Sequence, residues 1–285
     1  MKKYLVDDAE YSVSAKGSGP ILVFAHGFPF DGRIFDAVAD RLASKFYCVV
    51  PDLRGFGSST LGANGLNPRG LPRVTMGRYA DDLTILASEI ACELGRDPAT
   101  EKVYLCGLSM GGYISLAFAA RRPERLGGII FCDSNASGDA PEKSAGRLKL
   151  AEEIVAVERA TDQVAALAES YLPNLLSPKT FETKPEVVEE LRRTMLRQRP
   201  TGIAAAARGM AKRADSTALL PKIAVPTLVL GGADDVLSPP SSLDAIAAAI
   251  PGACRATIPD AGHVASLENP DAFADAVLRW AESAL

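Results

Sequence analysis

The chain has only two histidines, His26 and His263, a single tryptophan and 6% aromatic residues. That scarcity confines imidazole chemistry to two positions. It also leaves no aromatics interleaved with basic clusters, the footprint expected of a nucleic-acid binder. A formal net charge of −4 argues against polyanionic partners in the same direction. No apolar run approaches the roughly 18 residues that a membrane span needs. Behind Lys2 and Lys3 there is no apolar stretch, because Asp7 and Asp8 interrupt it, so no secretory signal is expected. The five cysteines, Cys48, Cys92, Cys106, Cys132 and Cys254, are odd in number and scattered, mostly within apolar runs. They are expected to be small buried hydrophobes of a reducing, cytoplasmic compartment. Neither a metal-ligand cluster nor a phosphate-binding glycine loop is evident, so the chemistry is expected to need no metal or organic cofactor.

What the chain does contain is a regular alternation. Near-continuous aliphatic runs occur at Ile21 to Ala25, Tyr47 to Val50, Lys102 to Cys106, Gly128 to Cys132 and Thr227 to Leu230. Strands buried on both faces read this way, as in a parallel sheet covered by helices. Helical patterns lie between them at Ile34 to Ser44, Tyr79 to Leu94, Met110 to Arg121, Ser241 to Ile250 and Pro270 to Ala284. The expected class is α/β, a doubly wound, mostly parallel sheet, with an antiparallel hairpin from the first 19 residues at its edge. From about residue 136 to 220 the alternation stops. Only helical patterns remain there, at Pro141 to Ala160, Asp162 to Leu172 and Glu186 to Arg199, with an alanine run at Ala204 to Ala207. Pro173, Pro178, Pro185, Pro200 and Pro221 are expected to mark helix boundaries. The expectation is a core of residues 1–135 and 221–285 with a helical cap, 136–220, inserted between two strands. Leu61 to Met76, rich in Gly, Asn and Pro, reads as a long loop.

One motif carries chemistry. Gly107-Leu108-Ser109-Met110-Gly111 follows the strand pattern Val103 to Cys106 and leads straight into a helical run. In that strand–turn–helix setting, a sharp turn exposes the serine hydroxyl at the sheet edge, and the glycines remove side chains that would clash. A serine N-cap in a glycine-rich turn is the plainer alternative. A serine nucleophile needs a base. His263, after the apolar Ala256 to Ile258 run and before the last helix, can be brought over Ser109. His26 is better placed to hold the loop that follows it. The base in turn needs a carboxylate to fix its tautomer. Asp234 and Asp235, after the strand Thr227 to Leu230, are candidates, and Asp235 is preferred. Asp133, at the end of another strand, is a rival acid. Asp52 and Arg54 read as structural braces. Arg192, Arg193, Arg197 and Arg199 form what is ordinarily a solvated helix face, although such a run could also attract a substrate carboxylate.

Taken together, HGFPF at 26–30, PDLRGFGSS at 51–59, GLSMGGY at 107–113, GADDVLSPP at 232–240 and GHVASLENP at 262–270 resemble the α/β-hydrolase family from about Pro20 onward. The likeness is to cofactor-free members: 3-oxoadipate enol-lactonases, small esterases and haloperoxidase-like perhydrolases. It implies Asp235 as the acid, and an oxyanion hole made by the backbone N–H groups of Phe28 and Met110. It implies a small-molecule ester or lactone as substrate. A serine at the turn excludes the aspartate-dependent dehalogenases and epoxide hydrolases of this fold. C–C bond hydrolysis, perhydrolysis, or a ligand-binding protein with little turnover remain alternatives, and a homo-oligomer is compatible with the sequence.

Overall fold

A computed structural model describes residues 1–156 and 160–285. Eight strands form one sheet: β1 (Lys2–Val6), β2 (Ala9–Gly17), β3 (Ile21–Ala25), β4 (Tyr47–Pro51), β5 (Val103–Leu108), β6 (Leu126–Cys132), β7 (Thr227–Gly232) and β8 (Cys254–Ile258). Their order is β1-β2-β4-β3-β5-β6-β7-β8. The β1–β2 and β2–β4 pairs are antiparallel, and the other pairs are parallel. The expected edge hairpin is therefore β1–β2.

Alternation within the buried strands builds two cores. Ile21, Val23 and Ala25 of β3 face one cluster with Val103 and Leu105 of β5, while Leu22, Phe24, Cys106 and Leu108 face the other. The first face is covered by α2 (Met76–Glu93), α3 (Met110–Arg121) and α9 (Pro240–Ala249), through residues such as Leu83, Ile90, Ile114 and Leu243. The second is covered by α1 (Asp36–Leu42), the short α10 (Ala265–Glu268) and the C-terminal α11 (Pro270–Ala284), whose Phe273, Val277 and Trp280 are buried. Burying such a side chain contributes about 1.5–3 kcal/mol. Thr75 caps α2 by accepting the Arg78 N–H at 3.0 Å, and Asn269 caps α11 from Ala272 N–H at 3.2 Å. The helix expected over Ile34 to Ser44 is split into a 3-10 turn, Gly32–Phe35, and α1.

Between β6 and β7 run α4 (Pro141–Glu153), α5 (Ala160–Leu175), α6 (Pro178–Thr183), α7 (Pro185–Leu196) and α8 (Pro200–Ala211). The helical pattern read over Pro141 to Ala160 includes residues 157–159, which lie outside the described residues. Pro178, Pro185 and Pro200 each open a helix, where the missing N–H is no loss. Pro173, expected at a boundary, instead lies inside the last turn of α5, and Pro221 lies inside a 3-10 helix. The Leu61 to Met76 stretch is largely irregular, with a short 3-10 turn and a Leu66–Pro72 bridge. Among the described residues, no helix is long and apolar enough to cross a membrane.

Chain order departs from spatial order at β3. From there the chain steps to β4 on one side, then returns to place β5 on the other. The ends of β3 and β5 are in register at Ala25 and Gly107. Such a switch point opens a crevice at the carboxyl ends of the strands.

Candidate active site

Ser109 stands at that crevice, directly after β5. Its φ of 56° and ψ of −110° lie outside the common wells, a strain of order 1–3 kcal/mol. The surroundings hold it there. Its N–H donates to Cys132 O at 2.9 Å, and its carbonyl accepts from Gly112 N–H at 2.9 Å and from Ser134 Oγ at 2.7 Å. The flanking glycines have separate reasons. A Cβ on Gly107 would sit 2.3 Å from Gly111 O, and one on Gly111 would sit 1.9 Å from the carbonyl oxygen of Ala25 in β3. The Ser109 side chain makes no cap bond to α3, which removes the N-cap alternative.

Ser109 Oγ and His263 Nε2 are 2.8 Å apart, and His263 Nδ1 is 2.8 Å from Asp235 Oδ2. An ionised Asp235 can only accept, so the proton sits on Nδ1 and Nε2 offers its lone pair to the hydroxyl. Asp235 Oδ1 accepts the N–H groups of Leu237 and Ser238 at 2.8 and 3.0 Å. Burial favours the protonated form of Asp235. The bond to His263, its charge and the two N–H donors outweigh burial and hold the carboxyl below its ordinary range.

Asp133 is brought near but not into the chain of bonds. It is fully buried, and its Oδ1 accepts Gly232 N–H at 2.7 Å. Oδ2 has no partner among the described residues. Burial, followed by the charge of Asp235, drives its pKa well above the carboxylate range and favours the neutral acid. The structure thus pairs His263 with Asp235 rather than with Asp133, and Asp234 is not in the chain of bonds.

Phe28 follows β3 and lines the cavity that holds Ser109 and His263. The N–H of Met110, the first residue of α3, has no intrahelical acceptor by its position. Neither it nor the Phe28 N–H bonds to another group among the described residues. His26 does not approach Ser109. Its Nε2 accepts Leu53 N–H at 3.0 Å and its Nδ1 donates to Gly27 O at 2.9 Å, tying the β3 and β4 loops together. Burial lowers its pKa and keeps it neutral. Asp52 accepts from Gly32 and Ser58 N–H, and buried Arg54 pairs with Asp82 at 2.7 Å, as braces should.

Two features escaped the sequence. Glu268, buried to 1% exposure, accepts Ser177 N–H, Thr180 Oγ–H and Gly262 N–H, each at 2.7 Å. It clamps the start of α6 to the residue before His263, whose own N–H donates to Leu175 O at 2.9 Å. An acid between Leu267 and Asn269, with no cation nearby in sequence, was the available signal. The second feature is the charge of the cavity wall. Arg192 and Arg193 of α7, and Arg197 and Arg199 beyond its end, do not line the cavity. Arg192 pairs with Glu169 and Glu189, Arg193 with Glu189, Arg197 with Thr194 and Arg199 with Ser59 O. Among the described residues, the cations that do line it, Lys143 and Arg147, come from α4.

The cavity measures about 600 Å³, within the range of small-molecule sites. Phe28, Leu150, Leu167, Leu175, Met210 and Leu237 supply apolar wall, and Asn135, Ser170, Tyr171 and Asn174 supply polar groups. Cys48, Cys106 and Cys132 are buried as expected, whereas Cys92 and Cys254 are exposed. Both sit on the protein's outer surface, away from these walls.

Comparisons with known proteins bear on this arrangement. The pattern of the alpha/beta hydrolase family matches residues 22–276. A pimeloyl-[acyl-carrier protein] methyl ester esterase from Nitrosomonas europaea is 24% identical, covering 93% of this chain and 97% of that protein. The 3-oxoadipate enol-lactonase 2 of Acinetobacter baylyi is 22% identical over 94% of this chain and 90% of its own. Among solved structures, a thermophilic esterase from Thermogutta terrifontis superposes with a TM-score of 0.90 and 37% identity, covering 100% of this chain and 99% of that one.

Proposed function

The chain belongs to the alpha/beta hydrolase family, and on that footing we propose that it is a serine hydrolase of small carboxylic esters or lactones. The observation that carries the reading is the unbroken run of bonds from Ser109 Oγ through His263 to Asp235, at 2.8 Å each. Likeness to esterases and an enol-lactonase supports the substrate class.

Ser109 Oγ attacks the carbonyl carbon while its proton passes to His263 Nε2. The imidazolium that results is stabilised by ionised Asp235. Negative charge moves to the carbonyl oxygen, and the free N–H groups of Phe28 and Met110 receive it; one such donor is worth about 10²–10³ in rate. Collapse breaks the ester C–O bond, and His263 gives its proton to the leaving alcohol. Water then attacks the acyl-enzyme, losing its proton to His263; His263 returns that proton to Ser109 Oγ as the acyl C–O bond breaks, releasing the acid. Helices α4 to α8 act as a cap that shapes the cavity over this centre.

Steady turnover of p-nitrophenyl acetate and butyrate tests the proposal. Stoichiometric acylation without turnover would favour a ligand-binding protein that retains the three residues.

A further inference from the structure

Within the cavity, positive charge is concentrated on one wall. Arg147 and Lys143 lie one turn apart on α4, and both line the space that holds Ser109 and His263. The Arg147 side chain is only 15% exposed and is fixed by a bond from Nε to Asp139 Oδ2 at 2.8 Å. Asp139, almost fully buried, also carries Arg213 at 2.7 Å, and Arg213 stacks on the Tyr113 ring at 4.0 Å. Asp139 therefore serves two guanidinium groups, and Arg147 has no other acidic partner among the described residues. Lys143 adds a second positive charge at the rim. Neither Nη of Arg147 and no hydrogen of Lys143 Nζ has an acceptor among the described residues. Among the described residues no acidic side chain lines the cavity.

A guanidinium held through Nε, with both Nη groups unused, presents a planar fork suited to a carboxylate. The remaining walls are largely apolar, so a monoanion can be desolvated there at lower cost than a phosphate dianion. We propose that Arg147, assisted by Lys143, forms an anion subsite that selects esters carrying a second, free carboxylate, such as monoesters of short dicarboxylic acids. The inference rests on Ser109 being the nucleophile of an ester hydrolase. In such a substrate, the scissile carbonyl lies at Ser109 while the distal carboxylate engages the α4 wall.

The test compares monomethyl glutarate with dimethyl glutarate, followed by pH-stat. The quantity read is the ratio of kcat/KM for the anionic ester to that for the neutral one. Charged hydrogen bonds of this kind are worth about 10–100-fold. The ratio is expected to exceed one in the native protein and to fall about tenfold or more in Arg147→Met and in Lys143→Met. Arg147→Lys should recover part of it. Lys143 is at the rim, so its variant reads the subsite even if Arg147→Met fails to fold. A native ratio at or below one overturns the proposal, as does a ratio left unchanged by both substitutions. If neither ester is turned over and Ser109 resists labelling, the hydrolase reading is what has failed. Calorimetric binding of glutarate against butyrate, to the native and Lys143→Met proteins, then decides the subsite alone. Tighter glutarate binding that is lost in Lys143→Met supports it, and equal binding of the two acids refutes it.

Discussion

Replacing Asp235 by Asn separates the two carboxyl groups near His263 by what each is able to do. Asp235 Oδ1 accepts two backbone N–H groups, from Leu237 and Ser238. An asparagine must keep its oxygen there, because turning the amide round would set N–H against N–H. Its NH2 then faces His263 Nδ1, which has to become an acceptor. The ring proton moves to Nε2, beside Ser109 Oγ, and the base is lost without any change of shape. A tautomer trapped in this way costs about 10⁴ in kcat in a Ser-His-Asp hydrolase of another fold, or roughly 5 kcal/mol of barrier. Asp133→Asn should behave differently. Burial favours the neutral form of Asp133, its Oδ1 accepts one N–H from Gly232, and an amide reproduces the shape and the donor of that form. The expected loss is no more than about fivefold, the scale of one ordinary hydrogen bond. Initial rates on p-nitrophenyl butyrate measure both variants. An Asp133→Asn protein that loses more activity than Asp235→Asn, or an equal loss in the two, would refute the reasoning.

Other substitutions probe the frame. Gly111→Ala places a methyl 1.9 Å from Ala25 O, and backbone cannot yield as a side chain can. The variant should lose several kcal/mol, of order 3 or more by analogy with severe overpacking, read as a lowered Tm or insoluble protein; a native-like melt would contradict the close approach. Asp133 gives a pH signature. Its folded pKa is raised, so its contribution is fully present below the unfolded value and is lost as pH rises through the folded one. Between those values stability falls by about 1.4 kcal/mol per pH unit. Asp133→Asn should remove that slope, so denaturant unfolding from pH 4 upward should show the variant gaining on the parent. Parallel curves would show that Asp133 is not buried as a neutral acid. Glu268→Ala strands three buried donors at about 1–3 kcal/mol each. It should lower Tm and also slow turnover, because Gly262 adjoins His263. Lowered Tm with unchanged kcat would limit Glu268 to a structural role.

The parts that were legible from sequence are those in which one physical demand dominates. β3 is five consecutive buried apolar residues, and the expected range matches the observed one. α3 begins where the glycines allow the sharp turn and ends before Pro123, so both ends are marked locally. Asp235 is marked by its place after a strand end and by the resemblance to the α/β-hydrolase family, which implies it as the acid. The segment between β6 and β7 was harder. The short helix α6 begins with the Ser177 cap and Pro178, a start signal with too few residues behind it to show a period. Pro173 falls in the last turn of α5, two residues before the helix ends, where a local rule reads a stop. The cationic wall was illegible for a different reason. Arg147 and Arg192 are equally basic in sequence. Only the way α4 and α7 pack decides that one lines the cavity while the other pairs with Glu169 and Glu189.

The identity of the nucleophile underlies all of this, and a fluorophosphonate probe reports it directly. Intact-mass and peptide mass spectrometry should find a single adduct, on Ser109. The adduct should be absent from Ser109→Ala and strongly slowed in Asp235→Asn, whose His263 no longer accepts the hydroxyl proton. A folded protein that stays unlabelled, or is labelled at another serine, would contradict the account.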